Sequence, residues 1–237
     1  MDIQDINRLT EEEKAALFRS MTEEERLSLL HAQQEARLAS FREKNRSVQK
    51  GQTVFAGSSL MENFPIEELA REDGLAASVY NRGIGGYITR QLLDNIGPCI
   101  LDLAPAKLFI NIGTNDLSNP DMPIPRIMEL YGAILEQTRA ALPGIALYLM
   151  AYYPINYDAA VPEMKPVLAV RTNEKIGEAN RQVEKLAQRF SARYLDVNAP
   201  LTDKAGNLRA EYTLEGMHIN EQGYRAVYPL LKPYILE

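Results

Sequence analysis

The fold of this chain is best approached from residues 54–60, which read VFAGSSL. Three apolar residues run directly into Gly57 and two serines, the pattern expected of a buried strand that ends in a tight turn. Ligands of open α/β sheets bind outside the carboxyl ends of the strands, so a serine just beyond this strand would face such a crevice. Ser59 is therefore a candidate nucleophile, although serines in turns also commonly cap the next helix.

Apolar runs alternate with helical segments from Gly51 to the end of the chain. Strands are predicted over 53–56, 78–81, 107–112, 145–151 and 193–197, and helices between them over 88–96, 124–142 and 171–190. This alternation predicts right-handed crossovers and a parallel sheet that is covered on both faces. We interpret residues 51–237 as a single α/β domain.

Residues 1–50 differ in composition from the rest of the chain and are interpreted as a separate helical arm. They are rich in Glu, Arg, Leu and Ala and contain neither glycine nor proline. The sequence Thr-Glu-Glu-Glu occurs at 10–13 and again at 22–25, and each copy has the form of a capping box. Two helices are therefore predicted, over about 10–20 and about 22–45.

The second predicted helix carries an apolar stripe at helical spacing, formed by Leu27, Leu30, Leu38 and Phe41. Gln34 interrupts this stripe in the middle. We expect the stripe to be buried, either against the chain's own domain or against a second subunit. The arm is thus a candidate for homodimer contacts or for a lid near the site.

Composition and charge exclude several classes of function. The chain of 237 residues has a net charge of −6 and no basic cluster, which argues against nucleic-acid binding. No apolar stretch reaches the roughly 18 residues that span a bilayer, and the N-terminus lacks the features of a secretory signal. We therefore expect a cytoplasmic protein. Cys99 is the only cysteine, and His31 and His218 are the only histidines, so no cysteine or multi-histidine metal site is expected.

Two further polar segments follow predicted strands. Residues 81–86, NRGIGG, hold three glycines in four positions, which permits close backbone approach and an N–H that donates to an oxyanion. Residues 113–116, GTND, end the third strand, and the Asn115 amide is suited to stabilising a developing negative charge. Tight turns explain both segments equally well. The glycine spacing does not match a dinucleotide-binding fingerprint.

The fourth segment is LEGMHIN, residues 214–220, just before the last helical segment. Histidine suits general-base catalysis near neutral pH, so His218 is a candidate base. Glu215, three residues earlier, is a candidate to accept a hydrogen bond from the other ring nitrogen and fix the tautomer. A surface histidine at a helix start is the alternative. His31, in the charged arm, is interpreted as structural.

Together the four segments resemble those of the SGNH hydrolases, the GDSL lipase/esterase superfamily, over roughly residues 52–237. This resemblance implies a three-layer α/β/α sandwich with a five-stranded parallel sheet, similar to flavodoxin and here preceded by an N-terminal helical extension. By motif, Ser59 matches the nucleophile and His218 the base. Ser59, Gly86 and Asn115 match the three oxyanion donors. The implied activity is ester hydrolysis through an acyl-serine, with no metal or organic cofactor.

Two positions depart from the family pattern. Ser58 stands where the Gly-Asp-Ser-Leu block has its aspartate, which affects turn geometry and local charge rather than the nucleophile. The family's Asp-x-x-His is here Glu215-x-x-His218. Glutamate carries the same charge on a side chain one methylene longer. Either Glu215 or a backbone carbonyl is therefore expected to orient His218.

Three functional hypotheses remain open from the sequence, the first two of them with a small-molecule ester as substrate. The first is a serine esterase acting on small acyl esters, for example O-acetyl groups on carbohydrate. The second is a lysophospholipase or thioesterase acting on longer acyl chains, and the third is a catalytically silent binding protein on the same fold. Tyrosines in residues 152–167 are candidates to line the pocket for either a sugar or an acyl chain, although aromatic clusters also pack in cores.

Overall fold

The computed structural model describes residues 10, 13, 16, 17, 20–75 and 78–237. Its main elements, in chain order, are α1 (Glu23–Lys44), β1 (Thr53–Gly57), α2 (Ser59–Glu62), α3 (Ile66–Glu72), β2 (Val79–Gly83), α4 (Thr89–Asp94), α5 (Ile96–Cys99), β3 (Lys107–Asn111), α6 (Ile124–Ala141), β4 (Ala146–Met150), α7 (Lys165–Val170), α8 (Asn173–Arg189), β5 (Arg193–Leu195) and α9 (Glu221–Leu236). All five predicted strands are present. Within the described residues, no helix combines the length and the apolarity that crossing a membrane would require.

The five strands form one parallel sheet in the order β2-β1-β3-β4-β5. This is the order of flavodoxin-like folds, in which ligands bind where the strand order reverses, here at the carboxyl ends of β1 and β3. Gly57 at the end of β1 pairs with Gly83 of β2 and with Asn111 of β3. The segments that follow these three strands therefore emerge side by side.

Successive strand residues point into two separate apolar cores. The rings of Phe55, Phe109 and Tyr148 stack across three neighbouring strands, with centroid distances of 4.5 and 4.4 Å, on the face covered by α3 and α9. The alternate strand residues face α1, α4, α5, α6 and α8. A sheet between two helical layers confirms the predicted α/β/α sandwich.

Helix α1 packs on the domain along its C-terminal half. The capping box at Thr22 forms as predicted, with reciprocal hydrogen bonds between Thr22 and Glu25. Most of the earlier predicted helix, 10–20, lies outside the described residues. The division into an arm of residues 1–50 and a domain of residues 51–237 stays a prediction.

Within the single chain, the apolar stripe of α1 is fully buried only towards its C-terminal end, and burial of the rest against a second subunit stays a prediction. Leu38 and Phe41 belong to the core, whereas the side chain of Leu27 is 49% exposed. The reason is that the fully buried positions of this helix begin only at Gln34, which is itself 5% exposed. Gln34, the polar residue that interrupts the apolar stripe, is thus part of the face of α1 that packs on the domain.

Candidate active site

Three of the residues singled out in the sequence form one hydrogen-bonded chain. Ser59 is the first residue of α2, directly beyond β1, and its Oγ lies 2.9 Å from Nε2 of His218. The other ring nitrogen, Nδ1, lies 2.7 Å from Oε1 of Glu215. The contact to Nδ1 is therefore made by the glutamate rather than by a backbone carbonyl.

The environment of Glu215 favours its ionised form. Burial raises the pKa of Glu215, but the hydrogen bonds and the charge of His218 act in the opposite direction, and the net pKa is lowered from its ordinary value of 4.5. The backbone N–H of His218 also donates to the same oxygen, at 3.0 Å. A carboxylate at this place keeps the proton on Nδ1 and leaves Nε2 free to accept one from serine.

The turn that carries His218 is closed by local hydrogen bonds. The Thr213 hydroxyl donates to the His218 carbonyl at 3.0 Å and accepts from the Gly216 N–H at 2.8 Å. Gly216 has a φ of +101°, a region that favours glycine. A Cβ there would lie 2.7 Å from the carbonyl oxygen of Asn156. The glycine between Glu215 and His218 is thus required by the backbone of the turn.

Ser58 and Ser59 have different surroundings although they are neighbours in sequence. Ser58 occupies the N-cap position of α2, but its side chain makes no capping hydrogen bond, and its buried Oγ has no hydrogen-bond partner among the described residues. The Ser59 N–H belongs to the first turn of α2, where backbone N–H groups have no partner within the helix. It donates to no protein acceptor in the part of the chain that the structure describes.

The other two predicted oxyanion donors also retain an N–H without a protein acceptor among the described residues. The Gly86 N–H makes no hydrogen bond, whereas the neighbouring Gly85 N–H donates to Oε2 of Glu62. Asn115 donates one amide hydrogen to the Tyr87 carbonyl at 3.0 Å, which leaves the second hydrogen available. Donors of this kind can stabilise negative charge that develops on a bound acyl group.

Arg171 is a site residue that the sequence did not reveal. Its guanidinium is 4% exposed and donates to Oδ1 of Asn115 at 2.9 Å and to the Ser118 hydroxyl at 2.8 Å, and it also contacts the sulfur of Met217. Because arginine can only donate, the atom of Asn115 that faces Arg171 is the amide oxygen, and the NH₂ group of Asn115 therefore points away from Arg171.

The charge of Arg171 is held in a buried environment. Burial lowers the pKa of Arg171 to about 10, while the nearby carboxylates Asp116 and Glu215 oppose that change. The side chain therefore remains cationic at neutral pH. No motif in the sequence distinguishes Arg171 from the other arginines, because its partner Asn115 lies 56 positions away along the chain.

Ser59 and His218 open into a cavity of about 600 Å³ between α1 and the carboxyl ends of the strands. Its walls are mixed, with polar side chains such as Gln33 and Arg37 of α1 beside apolar ones such as Leu30. The arm thus contributes directly to the surroundings of the serine, as the lid interpretation of the sequence expected.

The tyrosines suggested as pocket-lining residues lie elsewhere. Tyr152 and Tyr153 are both buried, and the Tyr152 hydroxyl donates to the Ile112 carbonyl at 2.7 Å. Neither of them lines the cavity at Ser59. Their proposed contact with substrate was wrong, because both rings are packed in the two cores on either side of the sheet.

Comparison with known proteins places these features in a family. The model of the GDSL-like lipase/acylhydrolase family matches residues 55–226. A solved structure from Streptococcus pneumoniae, provisionally described as a platelet activating factor, is 32% identical, with 88% of this chain and 95% of the other covered and a TM-score of 0.78. No curated protein sequence matches the chain.

Two more distant structures share the fold. A GDSL-like lipase from Bacteroides thetaiotaomicron is 21% identical, with 84% of this chain and 97% of the other covered and a TM-score of 0.70. A catalytic mutant of an acetylxylan esterase from Geobacillus stearothermophilus is 14% identical, with 79% and 95% covered and a TM-score of 0.60. On the match over residues 55–226 and the Streptococcus likeness, this chain belongs to the GDSL-like lipase/acylhydrolase family and is a hydrolase of ester bonds.

Proposed function

We propose that this enzyme is a serine esterase that hydrolyses small acyl esters through an acyl intermediate on Ser59. The observation that carries the proposal is the continuous hydrogen-bonded chain from Glu215 through His218 to Ser59, which lines a cavity together with His218. A serine hydroxyl is a weak nucleophile until a base takes its proton, and His218 lies within reach to do so.

In the proposed acylation step, Oγ of Ser59 attacks the acyl carbonyl while Nε2 of His218 takes the hydroxyl proton. The imidazolium that forms is stabilised by the Glu215 carboxylate through Nδ1. His218 then gives the proton to the leaving alkoxide. In deacylation a water molecule takes the place of the serine hydroxyl, and the same proton transfers release the acid.

The negative charge on the attacked carbonyl oxygen would be stabilised by the Ser59 N–H, the Gly86 N–H and the Asn115 amide. Removing one such donor typically raises the barrier by about 2.7–4 kcal/mol. Each of the three groups keeps one N–H without an acceptor among the described residues, which supports this role, because a hydrogen already engaged within the protein would have to break that bond first.

Polar side chains in the cavity wall, Gln33 and Arg37 among them, support an ester of a polar alcohol, such as an O-acetyl group on carbohydrate. A long acyl chain needs a continuous apolar groove. Of the tyrosines considered for that purpose, Tyr152 and Tyr153 are packed inside the cores, and the exposed Tyr157 does not line the cavity at Ser59. The acetylxylan esterase named above is consistent with this choice. Longer-chain lysophospholipase or thioesterase activity and a silent binding role are the alternatives to be tested.

The first test is hydrolysis of p-nitrophenyl acetate by the wild type, Ser59→Ala and the matched neighbour variant Ser58→Ala. We expect activity in the wild type and in Ser58→Ala and its loss in Ser59→Ala, because only Ser59 contacts His218. Equal activity in wild type and Ser59→Ala would contradict the proposed nucleophile.

A series of p-nitrophenyl esters from acetate to octanoate, with release of acetate from acetylated xylan, then tests the substrate class. We expect kcat/KM to fall as the acyl chain lengthens. A rise towards octanoate would favour the long-chain alternative, and hydrolysis of no ester by the folded wild type would favour the silent one.

A homodimer through the N-terminal helices and a cytoplasmic location both stay predictions. The exposed side chain of Leu27 makes the first of them testable by sedimentation of the wild type and Leu27→Glu. A dimer that dissociates in the variant would support contacts through α1, and a wild-type monomer would contradict them.

A further inference from the structure

We propose that Gln34 of α1 is a positioning residue that fixes the direction of the Gly86 N–H in the oxyanion hole. This inference rests on the proposed function, because it concerns one of its three donors. Gln34 lies outside the family match over residues 55–226 and is the polar residue that interrupts the apolar stripe of α1.

Gln34 takes part in a directed series of hydrogen bonds that ends at the oxyanion loop. The Ile88 N–H donates to Oε1 of Gln91 at 3.0 Å, and Nε2 of Gln91 donates to Oε1 of Gln34 at 3.1 Å. Nε2 of Gln34 then donates to the Gly85 carbonyl at 2.8 Å. A backbone donor at one end and a backbone acceptor at the other establish the orientation of both side-chain amides.

The Gly85 carbonyl and the Gly86 N–H belong to one planar peptide unit and point in opposite directions. Holding the carbonyl towards Gln34 therefore makes the N–H point away from α1. A hydrogen bond to the carbonyl also polarises the peptide, which strengthens its N–H as a donor. Gln34 thus acts on the Gly86 N–H through the Gly85 carbonyl.

The peptide between two glycines needs such a restraint. Gly86 has a φ of +72°, and glycine passes between backbone conformations more readily than any other residue. The Gly85 N–H donates to Oε2 of Glu62. The other carboxylate oxygen of Glu62, Oε1, lies 3.0 Å from Nε of Arg37, and the same Nε donates to the Gly83 carbonyl at 2.7 Å. Helix α1 therefore anchors the loop at two points.

Packing alone does not explain a glutamine at this position. Gln34 is 5% exposed and lies in line with Leu38 and Phe41, so a leucine there would complete the apolar face and bury no polar group. A buried amide is tolerable only when its hydrogen bonds are made, and here both ends of the amide are used. The bond that the Gln34 amide donates goes to the oxyanion loop.

The test compares wild type, Gln34→Leu and the control Glu35→Ala, which alters an exposed neighbour on α1 outside the cavity lining. Gln34→Leu keeps the size of the side chain and removes its donor. We expect kcat for p-nitrophenyl acetate to fall at least about tenfold with KM unchanged, since removal of a whole donor costs about 100-fold or more. Binding of phenylboronic acid, a tetrahedral mimic, should weaken in parallel.

The amide resonance of Gly86 provides a readout that does not depend on activity. We expect it to move in the ¹⁵N–¹H spectrum of Gln34→Leu and to stay in place in Glu35→Ala. Should Gln34→Leu fail to fold, Gln91→Leu breaks the same series of bonds from α4 and should move the same resonance.

An unmoved Gly86 resonance in a folded variant, or a wild-type kcat, would overturn the positioning role. A fall in activity that appears as a raised KM with kcat unchanged would also overturn it, because it would indicate substrate contact. If the wild type hydrolyses no ester, the proposed function fails, whereas the Gly86 resonance still decides whether Gln34 orients that peptide.

Discussion

Replacing Glu215 by glutamine tests the electrostatic part of the proposed mechanism. Oε1 of Glu215 accepts from both Nδ1 and the backbone N–H of His218, at 2.7 and 3.0 Å. Glutamine preserves the size of the side chain and one acceptor oxygen but removes the negative charge. The variant therefore separates stabilisation of the imidazolium from the packing of the turn.

The magnitude follows from the separation of the two charges. The Glu215 and His218 side chains are 20% and 25% exposed, so the pair is partly shielded from solvent. With charge centres about 4 Å apart and an effective dielectric constant of about 20, the attraction is about 4 kcal/mol. An energy of this size corresponds to a loss in kcat of about 10³-fold. Because glutamine keeps one acceptor oxygen, we expect the loss in the variant to be smaller, about 10²-fold.

Steady-state hydrolysis of p-nitrophenyl acetate at neutral pH measures this loss. Glu221→Gln is the matched control, since it makes the same substitution at an exposed residue of α9 that pairs only with Arg225. We expect the control to keep wild-type activity. A Glu215→Gln variant with kcat within about threefold of the wild type would refute the reasoning, because it would leave under 1 kcal/mol for the charge.

Three further predictions concern the structure around the site. Arg171→Met should lower kcat about tenfold or more in the same assay, because the Asn115 amide loses the partner that orients it, and unchanged kcat would contradict this. Gly83→Ala should lower the unfolding temperature strongly, since its Cβ would lie 2.2 Å from a backbone nitrogen of α2, whereas Gly144→Ala has nothing within 4 Å and should not. Glu215 binds protons more weakly in the folded than in the unfolded state, so its stabilisation is present above pH 4.5 and is lost as the pH falls below that value. The difference in unfolding temperature between wild type and Glu215→Gln should narrow from pH 7 to pH 3, and a constant difference would contradict the lowered pKa.

The strands and the sandwich were predictable because their signals are local. Apolar runs of strand length, each followed by turn residues, predicted all five strands, and their alternation with helices predicted the parallel sheet. The strand order is consistent with the family resemblance. The capping box at Thr22 was equally readable, since both of its partners lie within four residues.

Predictions failed where the outcome depended on packing between distant elements. The sequence is equally consistent with Tyr152 and Tyr153 lining a binding pocket or packing in a core. In the structure each of them packs in one of the two cores on either side of the sheet. Leu27 fits a helical stripe by spacing, yet the domain surface does not extend far enough along α1 to cover it. Periodicity indicates which residues share a face but not how much of that face has a partner.

The sequence by itself therefore determined the fold class, the family and the identity of Ser59, Asn115 and His218 as candidate site residues, because each follows from a short motif. Only the tertiary structure decided which groups hold those residues. Gln34 and Arg171 lie 51 and 56 positions from the groups they contact, Gly85 and Asn115. Their hydrogen bonds exist because the chain folds back on itself, and no local pattern of residues records such a contact.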